Sequence, residues 1–237
     1  MFSSSREVVD VAYTNSPLTM AYVPSPHYSE RMGEISKITV HHAAAVASAK
    51  QIANHFQAKS TRASANYVIG KDGEIIRCVD EKNRAWTSSN VVNDNMAVTI
   101  EVANIDTEPN WPISEKAWLS LVKLCVDICR RNKIDKLTYT GGPSGNLTLH
   151  RFFAATECPG PYLAGRMPEL VEAVNARLCP QRFMTLEEVP EWGRPTVKKL
   201  LDAGALRGTD SGLDISTDML RVLVVVDRML GGAVDES

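Results

Sequence analysis

The sequence has few of the features that direct a protein to a membrane or to nucleic acid. No run in its 237 residues is long and apolar enough to span a bilayer, and its first residues do not join a basic segment to an apolar one. A net charge of −2 creates no positive field for nucleic acid or anionic lipid. We therefore expect no membrane insertion, no nucleic-acid partner and no signal peptide.

Cysteine is also scarce and irregularly spaced. The five cysteines are an odd number and include no CxxC pair. This pattern argues against a disulfide framework and favours a reducing compartment. A cysteine that has a function is expected to act as a thiolate.

Strand and helix patterns alternate along most of the chain. ISKITV and MAVTIEVAN are typical of strands, and two apolar runs around residues 71–73 predict a hairpin. Ser48 and Gln51 form a capping-box signature for a helix, and residues 114–132 show the clearest helical periodicity. The order predicts an α/β fold with a mixed central β-sheet flanked by helices.

The pattern restarts near residue 180. Two helical segments follow, PEWGRPTVKKLLDAG and STDMLRVLVVVDRML, separated by a turn rich in Gly and Asp. The VLVVV run fits a buried strand as well as a helix. We predict a main domain over residues 1–179 and a small, mainly helical C-terminal domain over residues 180–237.

Two adjacent histidines end the first predicted strand. Because side chains alternate along a strand, His41 and His42 must point to opposite faces. His150 ends the predicted strand NLTLH, and Cys158 follows in a loop rich in Pro and Gly. Imidazole and thiolate are good zinc ligands, and three protein ligands leave the fourth position for water. The candidate ligands are His41 or His42, with His150 and Cys158.

A carboxylate in an apolar strand completes this pattern. Burial of Glu101 in VTIEVAN would raise its pKa towards the range of a general base, so the four residues predict zinc-assisted hydrolysis. Each residue also has a structural interpretation. A buried histidine is commonly a hydrogen-bonded core residue, a free cysteine packs as a small apolar group, and a strand glutamate can face solvent.

Five segments in this order carry a family resemblance: VHHAAA, SANYVIGKDGEI, NRAWTSSN, NMAVTIEVAN and HRFFAATECPGPYL. They resemble the zinc-dependent N-acetylmuramoyl-L-alanine amidases, the family that includes amidase-type phage lysozymes and peptidoglycan recognition proteins. The similarity spans about residues 16–178 and is greatest to endolysins of phages that infect Gram-positive bacteria. It implies Zn²⁺ as the cofactor, peptidoglycan as the partner, and hydrolysis of the amide between N-acetylmuramic acid and L-alanine.

The resemblance also implies roles for particular residues. It makes His41, His150 and Cys158 the zinc ligands, so that His42 faces away. It makes Glu101 the residue that assists the activation of water. The spacing and chemistry of the sequence also indicate His150, Cys158 and Glu101, and the resemblance chooses His41 over His42.

Three further residues are implied less directly. Thr156 matches the recognition proteins and is a candidate donor to the developing oxyanion, although a loop-stabilising hydroxyl is an equal interpretation. Several relatives have a tyrosine where this chain has Ala65, and Tyr67, two positions on, is a candidate substrate contact. Trp86 is a second candidate substrate contact. Its alternative interpretation is packing, the usual role of an aromatic residue.

The function we expect is wall lysis by a phage-type endolysin, kept in the host bacterial cytoplasm until it is released to the cell wall. One alternative is a non-catalytic peptidoglycan-binding protein, although proteins of that kind commonly lack one of the zinc ligands. Another is a cytosolic amidase that recycles muropeptides. The C-terminal domain is expected to be a cell-wall-binding module or a dimerisation module that forms a homodimer.

Overall fold

The protein is described by a computed structural model over residues 13–179 and 181–231. The chain divides into two compact units, Met1–Leu178 and Cys179–Ser237. The expected lack of a signal peptide concerns residues 1–12, which lie outside the described residues. The same is true of residues 180 and 232–237 of the predicted C-terminal domain.

A six-stranded mixed sheet forms the centre of the first unit. Its strands are β1 (Ala21–Tyr22), β3 (Lys37–Val46), β4 (Tyr67–Ile69), β5 (Ile75–Arg77), β7 (Ala97–Asn104) and β8 (Leu147–Leu149). They lie in the order β1-β5-β4-β7-β3-β8, and every pair is parallel except the predicted hairpin of β4 and β5. Two further strands, β2 (Tyr28–Glu30) and β6 (Asn83–Ala85), form a separate antiparallel pair.

Helices cover both faces of this sheet. They are α1 (Ala49–His55), α2 (Val91–Met96), α3 (Glu115–Arg131), α4 (Gly160–Gly165) and α5 (Met167–Leu178). The capping box before α1 is confirmed, because Ser48 and Gln51 each satisfy the other's backbone N–H. The long amphipathic helix is confirmed as α3, and the predicted α/β fold with flanking helices is confirmed with it. The short helix α2 was not predicted.

Strand alternation divides the core into two layers. On one face, apolar residues of β3 and β7 such as Val40 and Ile100 pack with the buried side of α3, including Leu121. On the other face, Val68 of β4 packs with Ile52 of α1. Burial of both faces is usual for parallel sheets. Most side chains in the middle of β3 and β7 are therefore removed from water, and a polar side chain buried there needs a partner.

The second unit has a small core of its own. It contains β9 (Arg182–Phe183), α6 (Arg194–Asp202), β10 (Ile215–Ser216) and α7 (Thr217–Gly231), and β9 pairs with β10 in antiparallel fashion. The ambiguous VLVVV run belongs to α7 and is helical. Phe183, Val197 and Leu220 are among its buried residues. In the described parts of both units, none of the helices combines the length and apolar character that crossing a membrane requires.

Two leucines of α3 test the assignment of its buried face. Leu121 is fully buried, whereas Leu119 is 50% exposed. We expect Leu121→Ala to lower the free energy of unfolding by about 2–5 kcal/mol because it leaves a cavity. Leu119→Ala should change it by less than about 0.5 kcal/mol. Urea unfolding measures both, and equal losses would contradict the orientation of α3.

Candidate active site

Three reactive side chains stand side by side on neighbouring strands. His41 of β3 lies opposite Glu101 of β7. On the other side of β3, Val40 lies opposite Leu149, so that His150, the next residue along, comes beside His41. Side chains at the same level of adjacent strands point to the same face. The parallel register therefore produces a row of Glu101, His41 and His150.

A loop brings Cys158 to this row. The chain turns at a 3₁₀ turn, His150–Phe152, and then folds back. The backbone N–H of Arg151 donates to the carbonyl of Cys158 over 3.2 Å, and the Cys158 N–H donates to Thr156 Oγ1 over 3.2 Å. Cys158 Sγ consequently lies 3.5 Å from His41 Nδ1. The loop is thus held so that its sulfur faces the histidines.

His41, His150 and Cys158 could together hold a metal ion. Each offers one ligand atom, and these atoms lie within 4.8 Å of one another. Nε2 of His41, Nε2 of His150 and Oε2 of Glu101 are buried without a hydrogen-bond partner among the described residues. A buried polar atom without a partner costs about 1–3 kcal/mol. Two imidazoles and a thiolate form a ligand set typical of catalytic zinc, so these residues fit that ion.

Burial shifts the pKa of each of these ligands. It lowers the pKa of His41 well below the ordinary 6.5, and His150 adds to this shift. The pKa of His150 is also lowered by burial, while the negative charge of Asp94 opposes the change. Neutral imidazole is the form that binds metal. Burial, and then the charge of Glu101, raise the pKa of the Cys158 thiol.

Glu101 has the environment of a general base. Burial raises its pKa to about 8, although 14% of its side chain remains exposed. Its Oε1 lies 3.9 Å from His41 Nδ1, next to the ligand cluster. A carboxyl group with a pKa near the working pH can both accept and return a proton. This position therefore suits proton transfer beside a bound metal.

An open cleft of about 450 Å³ reaches Glu101. The β3–β7 register shifts between His42 and Val46, and Ala44 has a φ of 49°. Bulges of this kind redirect side chains near functional sites. Besides Glu101 and His42, the residues that line the cleft are Ala43, Ala45, Ala47, Gln51, Ile52, His55 and Phe56. Three small alanine side chains leave room for a ligand beside the carboxylate.

His42 is separate from the ligand cluster but lines this cleft. Its ring packs edge-on against Trp111, with 5.4 Å between ring centroids. Gly160 lies close to this pair, and a Cβ there would come within 3.2 Å of Trp111 Cβ and 3.3 Å of the His42 ring. The expectation that His42 faces away is therefore incomplete, because it borders the cleft together with Glu101.

The structure does not bring Tyr67 to the site. Tyr67 is fully buried in the core layer of α3, where its hydroxyl donates to Glu81 over 2.5 Å and accepts from the N–H of Ser16. The predicted substrate contact is wrong for a physical reason. Ala65 packs in the opposite core layer, and the regular alternation of β4 begins only at Tyr67.

Trp86 and Thr156 occupy different surroundings. The indole N–H of Trp86 donates to Ser29 Oγ over 2.9 Å, and its ring lies 5.8 Å from that of His27. Among the described residues, these contacts do not join Trp86 to the ligand cluster, and 37% of it is exposed. The hydroxyl of Thr156 accepts from the Cys158 N–H, as a loop-stabilising residue would.

A layer of buried threonines beside the site was not predicted from the sequence. A threonine precedes each reactive residue of the row by two positions, giving TVH at 39–41, TIE at 99–101 and TLH at 148–150. All three threonines are fully buried. The repeated Thr-x-His or Thr-x-Glu spacing is the sequence pattern that could have indicated these threonines.

Comparison with known proteins places the site in context. The sequence model of a family described as N-acetylmuramoyl-L-alanine amidase matches residues 31–161, more than half of the chain. None of the curated proteins matches the chain.

Two solved structures share the fold. One is described as a mutant structure of PlyL, with a TM-score of 0.53 and 16% identity over 66% of this chain and 98% of that chain. The other is a mutant endolysin from Bacillus subtilis, with a TM-score of 0.52 and 16% identity over 66% and 99%. At this identity the likeness concerns the fold.

Glu101→Gln should change how the stability of the metal-free protein depends on pH. A carboxyl group whose pKa rises from 4.5 to about 8 on folding keeps its proton in the folded state between these values. Its contribution to stability is therefore lost as pH rises through this interval. We expect the variant to be more stable by on the order of 2–3 kcal/mol at pH 7, and equally stable at pH 4. Denaturant unfolding across pH measures the difference, and one that is constant with pH would contradict the buried titration.

Proposed function

Because the chain belongs to the N-acetylmuramoyl-L-alanine amidase family, we propose that it is a zinc-dependent hydrolase of peptidoglycan. The bond cut is the amide between the lactyl group of N-acetylmuramic acid and the L-alanine of the stem peptide. One observation carries this proposal. Two imidazoles and a thiol converge beside a buried carboxylate at the edge of an open cleft.

His41, His150 and Cys158 are the proposed ligands of the ion. When bound, zinc supplies a Lewis acid for the scissile carbonyl and makes water a stronger nucleophile at neutral pH. The two imidazoles are already neutral, because burial lowers their pKa. Only the Cys158 thiol has to lose a proton for the ligand set to be complete.

Glu101 is the proposed proton carrier. Its carboxylate accepts a proton from the attacking water and returns that proton to the leaving amine. Its place beside His41 puts it next to the ligands, and its raised pKa makes both transfers accessible near neutral pH. The alanine-rich wall of the cleft leaves space for the substrate beside this group.

We further propose that the substrate is the intact wall, as for a phage-type endolysin that is kept in the host cytoplasm until release. The complete ligand set and the adjacent carboxylate support catalysis over the alternative of a binding protein without activity. The second unit supports an insoluble polymer over soluble muropeptides, because tethering raises the effective substrate concentration.

Ligand and base variants should separate metal binding from catalysis. We expect His41→Ala, His150→Ala and Cys158→Ala to lose both zinc and activity. Glu101→Gln should keep zinc and lose activity by about 10²–10⁴-fold, because it removes the proton carrier. His42→Ala is the matched control and should keep zinc, since its ring packs against Trp111. Metal analysis and digestion of purified Gram-positive walls measure these effects.

The products of the same digestion identify the bond. New L-alanine amino termini without new reducing sugars, lost on treatment with a chelator, are the expected result. Full activity in any of the three ligand variants would contradict the zinc site. Walls that retain the protein uncut would indicate a binding protein, and cleavage of soluble muropeptides alone would indicate recycling.

For the second unit we propose cell-wall binding. The alternative is pairing of two copies, which a feature of α7 supports. This helix buries one side in the core of its unit, yet six apolar side chains elsewhere on it are 42–72% exposed. They are Met219, Val222, Val225, Val226, Met229 and Leu230. Apolar surface of this kind is typical of interaction sites.

Removal of the second unit tests these roles. We expect full-length Glu101→Gln protein to sediment with purified walls, and the same variant ending at residue 178 to sediment much less, since tethering is lost. Equal sedimentation would contradict wall binding. Light scattering gives the molar mass of the full chain in the same buffer. A dimer that Val222→Glu converts to a monomer would support the pairing alternative instead.

A further inference from the structure

A buried layer of hydroxyl groups lies directly behind the reactive row. We name Thr99, Thr39 and Thr148, which pair across β7, β3 and β8, the threonine row. Each stands two positions before a residue of the reactive row and therefore points to the same face. All three are fully buried. Hydroxyl groups at such depth are costly unless they are hydrogen-bonded, so their partners define what the layer does.

Asn93 of α2 closes a ring of hydrogen bonds with two of these threonines. Its Nδ2 donates to Thr39 Oγ1 over 2.9 Å, and its Oδ1 accepts from Thr148 Oγ1 over 3.4 Å. The two hydroxyl oxygens are 2.9 Å apart and bonded to each other. Only 2% of Asn93 is exposed. The ring thus joins β3 to β8 through side chains as well as backbone.

We propose that the ring of Asn93, Thr39 and Thr148 positions the metal centre. Through Thr39 and Thr148 it sets the separation of His41 and His150, the two ligands borne by the sheet. The inference rests on the proposed function, because it assumes that these histidines hold zinc. Buried networks that satisfy all their members restrict neighbouring groups to one arrangement, which an apolar layer would not do. Fixed ligand geometry in turn determines metal affinity.

The third threonine provides an internal control. Thr99 Oγ1 bonds to Thr87 Oγ1 over 2.8 Å and to Asn66 Oδ1 over 3.3 Å, and neither partner belongs to the ring of Asn93. Thr99 precedes Glu101, which is not a proposed ligand. Thr99 and Thr148 are therefore alike in residue type and burial but differ in the network they join.

The test compares Thr148→Val, Thr148→Ser and Thr99→Val in the full-length protein. Zinc affinity is measured by competition with a chelator, and ligand geometry by the visible spectrum of the cobalt-substituted protein. We expect Thr148→Val to weaken zinc binding by about 10-fold and to alter the cobalt spectrum. Thr148→Ser keeps the hydroxyl and should keep the affinity, even if loss of the methyl group lowers the melting temperature. Thr99→Val should leave both metal readouts unchanged.

The outcomes separate positioning from simple stability. Equal affinity in Thr148→Val and the parent protein would overturn the positioning role. Equal weakening by Thr148→Ser, or by Thr99→Val, would also overturn it, because packing would then be the cause. A parent protein that binds no zinc would overturn the proposed metal site together with this inference. If Thr148→Val does not fold, Thr39→Val and Thr39→Ser make the same comparison at the other threonine of the ring.

Discussion

The parallel pairing of β3 with β7 on one side and β8 on the other is the constraint on which the rest of the site depends. This register alone places Glu101, His41 and His150 at one level and on one face. A slip of one residue would turn the side chains of β3 to the other face. The apolar residues that directly precede the reactive positions, such as Val40 and Ile100, resist that slip because they are fully buried against α3. Core packing and ligand placement are therefore specified together.

The four groups of the site share an electrostatic property. Burial favours the neutral imidazoles of His41 and His150, and it raises the pKa of both the Glu101 carboxyl and the Cys158 thiol. Without a cation, the buried cluster thus tends towards its uncharged forms. Nε2 of His41, Nε2 of His150 and Oε2 of Glu101 are also buried without a hydrogen-bond partner among the described residues. A dication held by the proposed ligands would reverse the preference of the Cys158 thiol, because a metal-bound thiol loses its proton.

Much of the fold was accessible from the sequence, because its signals are local. The capping box of α1 and the apolar stripe of α3 each arise within one helix. The proposed ligands could be indicated from the sequence because strand ends and a Pro-rich loop mark them. The buried position of Tyr67 could not be predicted in this way. The backbone before β4 is irregular, so Ala65 and Tyr67 lie in different core layers although they are two positions apart. The short helix α2 lacks an apolar stripe, since its buried residues Asn93 and Asp94 face a polar layer instead. Such a layer exists only after three distant strands have paired.

The three proposed ligands are not attached to the fold in the same way. His41 belongs to β3, which is paired on both sides, and His150 directly follows β8, the edge strand paired with β3. Cys158 is instead held in a loop by short-range bonds to Arg151 and Thr156. Local opening of a loop needs far less free energy than separation of paired strands. In the proposed zinc site, the Cys158 thiolate would therefore be the ligand that binds last and dissociates first. The residence time of an ion in that site would then depend on the lifetime of this loop and not on the global stability of the domain.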